Sequence, residues 1–367
     1  MASSRAIGIL GGYERDYPRN ACIRRMLAEL GYEVVECHSR AAFPRRHLEL
    51  ARAYRRVHRR LAAIWVAEGG HRLVPWVKAL ALRDRIPVIF DPFLSRYNTR
   101  VEDRRLVAPR SVGALVASWQ DWSSCASADY LVFDTHEHRD YFFARYRLHR
   151  PSAVLEVAID EDTFTAAGPV APRRAGLDVL FYGTYIPLHG IDTILAAAAR
   201  LRTHADISFT IVGAGQERAR IEARLAELAL PSVALVDPMA PARLAQRIRA
   251  ADVCLGIFGA TRKAANVVPN KLVQCAAMGK AIVTRRSDAV ARYFAAGRDL
   301  TTVAPGCADA LAAALLQLRD DAGLRARLGH GARAAFERSF ATGVLRRRLG
   351  DLLVDAGAPP PSIAVRS

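Results

Sequence analysis

Twelve short apolar runs, most rich in β-branched residues, alternate with helical patterns along most of the chain, six on each side of a Pro/Gly/Ala-rich interruption. The strand candidates are residues 6–10, 33–37, 63–67, 87–90, 130–134 and 153–157, then 178–182, 208–212, 232–236, 252–257, 281–284 and 300–303. Strands separated by helices imply parallel sheets covered on both faces. The expected fold class is therefore α/β, with two Rossmann-like, doubly wound domains. A chain of 367 residues exceeds the usual size of one core, which agrees with two. The interruption TAAGPVAPRRAG (165–176) reads as the linker, giving domains over 1–165 and 177–340. Residues 341–367 read as a helix near 340–356 that packs back on the first domain, followed by a loose tail beginning APPPSIAV.

Such sheets bind ligands outside the carboxyl ends of their strands, where loops and helix N-termini converge. The charge balance limits what those ligands are. Lys and Arg number 53 against 36 Asp and Glu, a net charge of +17. The excess is spread over both halves, but residues 40–60 carry eight arginines against the single acid Glu49. That segment suits an anionic membrane surface or a solvated helix face. No nucleic-acid module accompanies it, so nucleic acid is not an expected partner. The six cysteines form no C-x-x-C pair, which suggests a reducing, cytoplasmic setting. The N-terminus lacks a signal-peptide layout, and no run approaches the roughly 18 apolar residues of a spanning helix. The expected location is cytoplasmic, with peripheral contact at the inner membrane face left open.

The loops after the strands hold the candidate chemistry. In ILGGYERDYPRN, Gly11 and Gly12 allow close backbone approach, and Arg15 and Arg19 follow as acceptor-side candidates. The third glycine of a G-x-G-x-x-G fingerprint is missing, and a tight turn without a ligand is the alternative reading of the pair. In the second half, VLFYGTYIPLHGIDTILAAAARL sets Gly183 and Gly190 around a six-residue loop, and FTIVGAGQERARIEARLAEL ends a strand on Gly213 and Gly215. The segment VVPNKLVQ starts a helix with Pro269, Asn270 and Lys271, preceded by Arg262 and Lys263. In the first half, Asp91, Asp134, Thr135 and His136 end strands. His136 and Asp91 are the candidates for direct catalytic roles. In the alternative reading, Asp134 caps the next helix while His136 and His138 are solvated.

The spacing G-x-x-x-P-x-x-G over 183–190 and the segment ADVCLGIFGATRKAANVVPNKLVQCAAMGKAIVT (251–284) resemble the family 4 glycosyltransferases, which have the GT-B fold with two domains facing a central cleft. FYGTYIPLHG, LGIFG and VVPNK together resemble one subgroup of that family. The resemblance implies donor contacts at Gly183, Thr184, His189, Gly213, Gly215, Asn266 and Gln274; the helix start adds Pro269, Asn270 and Lys271, the loop cations Arg262 and Lys263 replace missing positive charge, and Gly12 joins them for its close backbone approach. Where the family has Arg, Lys and two glutamates eight apart, this chain has Thr184, His189, Asn266 and Gln274. An amide still bonds sugar hydroxyls, but without the strength of a charged partner.

The resemblance implies a nucleotide diphosphate sugar as donor, retention of configuration, and no cofactor or bound metal. The chain likewise has no D-x-D pair to hold Mg²⁺ against a diphosphate. A glycan, a lipid-linked glycan or a small molecule remain open as acceptor. The alternatives are a non-catalytic nucleotide-sugar-binding partner subunit and a GT-B-like epimerase or phosphorylase. A nicotinamide-dependent oxidoreductase is disfavoured, because neither half has a complete dinucleotide fingerprint.

Overall fold

The computed structural model describes residues 6–168 and 176–361. They divide into two units, residues 1–158 with 342–367 and residues 159–341. The first contains β1 (Ala6–Gly11), α1 (Pro18–Glu29), β2 (Glu33–His38), α2 (Arg45–Val57), β3 (Leu61–Val66), α3 (Val74–Leu82), β4 (Val88–Phe90), α4 (Val112–Ser127), β5 (Tyr130–Phe133), α5 (His136–Tyr146) and β6 (Ser152–Val154). The second contains β7 (Leu177–Tyr182), α6 (Ile191–Arg200), β8 (Ile207–Val212), α7 (Arg218–Leu228), β9 (Val233–Val236), α8 (Pro241–Ala250), β10 (Val253–Leu255), α9 (Arg262–Ala265), α10 (Asn270–Ala277), β11 (Ala281–Arg285), α11 (Asp288–Ala291), β12 (Thr301–Val303), α12 (Ala308–Asp320) and α13 (Ala322–Ser339). The chain then returns to the first unit as α14 (Thr342–Asp355).

Both sheets are six-stranded and parallel throughout, in the orders β2-β1-β3-β4-β5-β6 and β12-β11-β10-β7-β8-β9. All twelve sequence candidates are strands. Alternate residues of one strand serve opposite cores, as the pleat requires. In β1, Ile7 and Ile9 face one cluster, while Ala6 and Leu10 face the other.

In the first sheet, only the step from β1 to β2 runs in one direction along the strand order. Right-handed crossovers therefore place α1 alone on one face and α2 to α5 on the other. The buried residues agree: Leu50, Val77, Cys125 and Phe142 line one core and Ile23, Met26 and Leu27 the other. A single helix cannot cover a six-stranded face. α14 covers the remainder, with Leu345, Leu349, Leu352 and Leu353 buried beside α1.

Two boundaries differ from the sequence expectation. The first unit ends at Ala158 rather than 165, because Ile159 and Phe164 are buried in the second unit's core. The segment read as a loose tail starts out fixed, since Ala358 is buried and its carbonyl accepts the Tyr32 hydroxyl at 2.5 Å. Residues 169–175 of the expected linker and 362–367 of the tail lie outside the described residues.

One polar clamp crosses the first unit. Arg19 of α1 donates from Nε to Asp91 Oδ2 at 2.5 Å and from Nη1 to the Leu155 carbonyl at 3.1 Å, and both side chains are buried. Removing one member strands a charge, whereas replacing both with apolar groups does not. Asp91→Ala is expected to destabilise the chain by about 3–5 kcal/mol. Arg19→Met combined with Asp91→Leu should recover most of that loss, as read by urea unfolding of the two variants beside the wild type.

Candidate functional site

In the second sheet the strand order reverses between β7 and β10, so the crevice expected to take a ligand lies at their carboxyl ends. Three loops meet there without room for side chains. Gly183 N–H donates to Val212 O at 2.9 Å, and Tyr185 N–H to Ala214 O at 2.8 Å, which joins the loop after β7 to the one after β8. A Cβ on Gly213 would lie 2.0 Å from the Gly183 carbonyl oxygen, so glycine is required for this contact. Phe258 N–H donates to His189 O at 3.0 Å, bringing in the loop after β10.

Lys271 lies under this junction in the first turn of α10. It is 5% exposed, and its Nζ has no hydrogen-bond partner. The ammonium sits 3.8 Å from the centre of the Phe181 ring. A Cβ built on Gly183 would come within 2.9 Å of both Lys271 Nζ and His189 Cε1, so the backbone, the amine and the imidazole converge on one spot. His189 is oriented through Nδ1, which bonds the Thr184 carbonyl.

Three features raise the energy of a positive charge at Lys271. Burial removes water and drives its pKa well below the ordinary 10.5, with only weak compensation from Cys275. The start of α10 carries the positive end of the helix dipole, with no side-chain cap and no acidic residue in its first turn. No carboxylate bonds the amine. An anion at the N-terminus of α10 relieves all three at once, and free backbone N–H groups there suit phosphate oxygens.

Gly12, also named as a donor contact, lies in the first unit; the other donor-side candidates belong to the second. Tyr182 donates its hydroxyl to Gln274 Oε1 at 3.0 Å and to the Lys271 carbonyl at 3.2 Å, which fixes the amide. Pro269 is the residue before α10, with Asn270 opening the helix. Arg262 and Lys263 form the short α9, capped by the Thr261 hydroxyl, and Asn266 ends it; Arg262 is exposed and Lys263 buried. A cavity of about 250 Å³ is lined by Gly183, Thr184, Gly213, Pro238, Met239 and Leu244 among others, a largely apolar slot beside the glycine turns.

The sequence reading missed Arg285. It is buried at the end of β11 and donates from Nη1 to the Gly259 carbonyl at 2.6 Å, holding the loop between β10 and α9. The available signal was a cationic pair, Arg285 and Arg286, ending a strand.

The first sheet reverses between β1 and β3, and a cavity of about 730 Å³ lies at that point. Its lining includes Gly12, Glu14, Glu68, Arg46, Arg72 and Arg96. The Glu68 carboxyl is pushed up by burial, against a 3.0 Å hydrogen bond from Asn20 Nδ2. Arg96 Nε is buried without a partner, and its pKa is lowered by burial and by Arg100 and Arg72.

The structure does not bring Arg15 and Arg19 to this cavity. Arg15 pairs with Glu36 at 2.6 Å on the surface, and Arg19 is enclosed with Asp91. Asp91 thus holds Arg19 and the Phe93 amide, at 3.2 Å. His136 opens α5, half-buried. The cap of α5 is Thr135, not Asp134, whose carboxylate instead bonds buried His138 Nδ1 at 2.6 Å. Among the described residues, no three His, Cys, Asp or Glu side chains cluster as metal ligands would.

The two sheet orders and the paired loop junctions invite comparison with solved folds. Sucrose-phosphate synthase from Thermosynechococcus elongatus is similar over 95% of this chain and 98% of its own, with a TM-score of 0.74 and 17% identity. Anabaena HepE in complex with UDP and glucose matches over 96% and 99%, with a TM-score of 0.70 and 12% identity. A glycosyltransferase from Rickettsia africae matches over 97% and 99%, at 0.70 and 12%. The fold is GT-B. Residues 176–321, most of the second unit, match the family described as Glycosyl transferases group 1. No curated protein matches the sequence.

The electrostatics of Lys271 give a signed expectation. Below its lowered folded-state pKa, the lysine is charged folded and unfolded, and the folded state bears the full cost of burial. Above it, the folded state has lost the proton that the unfolded state keeps, so stability rises with pH until the unfolded value near 10.5. Lys271→Met removes the orphaned amine and is expected to stabilise the ligand-free protein near pH 7 by about 1–3 kcal/mol. The same change should abolish that rise in stability with pH, as read from melting temperatures across a pH series.

Proposed function

We propose that this chain transfers a sugar from a nucleotide diphosphate sugar to an acceptor hydroxyl, and that the second unit holds the donor. The observation that carries this reading is the buried, unpartnered Lys271 amine at the uncapped start of α10, against the glycine junction. A diphosphate supplies the missing countercharge, and the apolar slot beside Pro238, Met239 and Leu244 has the character a nucleobase requires. The match over 176–321 and the GT-B neighbours support the same class. HepE has been solved with UDP and with UDP-glucose, which makes uridine nucleotides the first donors to test.

In this reading the acceptor oxygen forms a bond to the anomeric carbon as the bond from that carbon to the diphosphate oxygen breaks. The bonding pair leaves with the diphosphate, whose growing charge is met by Lys271 and the α10 amides. The acceptor proton passes to the departing phosphate oxygen. Thr184, Gln274 and Asn266 hold sugar and ribose hydroxyls, and Arg262 and Lys263 add positive charge. Retention of configuration, independence of metal and the family 4 subgroup rest on the resemblance of the 183–190 and 251–284 segments.

The cavity of the first unit is the proposed acceptor site. Arg46, Arg72 and Arg96 suit an acceptor bearing phosphate, as a lipid-linked glycan does, and in this reading Glu68 bonds an acceptor hydroxyl. Of the two residues expected to act directly, Asp91 is taken up by Arg19, so His136 is the one retained beside the transferred sugar. Six free thiols suit a reducing, cytoplasmic compartment.

UDP-, GDP-, dTDP- and ADP-sugars are the donors for a thermal-shift series. One nucleotude class should raise the melting temperature, and Lys271→Met should cut that shift, because binding to the folded state stabilises it. Turnover of that donor should survive EDTA. A flat response to all four donors contradicts the reading, and binding without turnover over a broad acceptor panel favours a non-catalytic subunit.

A further inference from the structure

Helix α4 has its polar side inward. Gln120, Asp121, Ser123 and Ser124 are buried, while the exposed positions are Val112, Gly113, Leu115, Val116, Trp119 and Trp122. Val112 is 77% exposed, Leu115 65% and Trp119 60%. At 3.6 residues per turn, the five side chains fall within one stripe of about 120°. Exposed apolar residues are ordinary when scattered, but a helix whose water-facing stripe carries no polar side chain marks a contact surface.

The stripe cannot turn inward, because the buried side of the helix is fastened. Asp121 accepts the Ser95 hydroxyl at 2.7 Å, the Arg96 and Tyr97 amides at 2.8 and 3.0 Å, and the Tyr146 hydroxyl at 3.0 Å. Rotating α4 would break all four bonds to a buried carboxylate.

The surroundings indicate what covers it. The loop leading into α4 exposes Arg105, Leu106 and Arg110, with both arginines in the left-handed backbone region at φ 51° and 65°. On the same face of the sheet, α3 packs against α4, and the edge-to-face rings of His47 and Trp76, 5.0 Å apart, join α2 to α3. α2 presents Arg45, Arg52, Arg55 and Arg56 to solvent. An apolar stripe with two tryptophans, edged by arginines, fits the boundary between acyl chains and anionic headgroups. A second copy, itself at +17, brings the wrong charge to this flank, whereas an anionic bilayer brings the right one. No helix among the described residues is long and apolar enough to cross a membrane, so the contact lies along the surface.

We propose that α4 docks this protein on an anionic lipid bilayer, its Val112–Trp122 stripe entering the acyl boundary and Arg105 and Arg110 meeting lipid phosphates. This places the contact on α4, with the 40–60 segment as flanking charge, and it does not depend on the transferase reading. The test is co-sedimentation of the full chain with phosphatidylcholine vesicles, with and without phosphatidylglycerol. The wild type should bind the anionic vesicles, with a blue shift of tryptophan emission. Leu115→Gln with Trp119→Gln should weaken binding about tenfold, and Arg105→Glu with Arg110→Glu should reduce the dependence on phosphatidylglycerol, with the α2 arginines supplying the rest. All four side chains are exposed, so an unchanged melting temperature confirms that each variant is folded. The proposal is overturned if the wild type ignores anionic vesicles, or if the stripe variant binds as well as the wild type. It also falls if sedimentation velocity shows a dimer that the stripe variant splits while no vesicle binding occurs.

Discussion

Right-handed connection between parallel strands is the constraint from which the rest of this structure follows. With strand order reversing between β1 and β3 in one sheet and between β7 and β10 in the other, it sends the flanking helices to opposite faces at each reversal; the cavity of the first unit lies at one reversal, and the apolar slot of the second unit lies beside the loops after β7, β8 and β9. It also leaves one face of the first sheet with α1 alone, which is why the last helix of the chain belongs to the first unit. The same rule crowds α2 to α5 onto the opposite face, where α4 ends up with an apolar exterior.

Within the second unit, local stability is traded for a buried amine that has no hydrogen-bond partner. Glycines at 183 and 213 let two loops touch backbone to backbone, and that contact encloses Lys271. A lysine near the start of a helix opposes the dipole, and enclosure removes the water that would offset it. Folding alone gives no reason for this placement. On the proposed function it has one, since the groups that raise the energy of this site would become binding energy for a phosphate-bearing ligand.

All twelve strands were legible because buried parallel strands read as continuous apolar runs, a signal that survives without tertiary context. The glycine turns and VVPNK were legible for a related reason, since their backbone requirements are local. Side-chain commitments were not. Nothing in the sequence near Arg19 shows that Asp91, 72 positions on, will hold it, and this long-range pair takes both from the surface. Arg285 was missed because its role is to hold a loop 26 positions earlier. The face of α4 was missed because periodicity marks an apolar stripe without stating which side of a helix meets water. Only the four bonds to Asp121 decide that.

On the proposed function, the departures at Thr184, His189, Asn266 and Gln274 from the pattern that these segments resemble take on a common meaning beside Lys271. Two cations and two carboxylates of the pattern are absent together, so the summed charge of those four positions hardly changes. What changes is screening. With carboxylates nearby, a buried lysine would be neutralised within the protein and would gain little from a phosphate. With Gln274 an amide turned by Tyr182, no carboxylate bonds the amine. A buried amine without an internal counterion gains more from an anion than one already paired, because the anion also favours its charged form in the low local dielectric. On the proposed donor reading, the amides would let one lysine serve where the pattern uses two cations, while keeping hydrogen-bonding capacity for sugar hydroxyls.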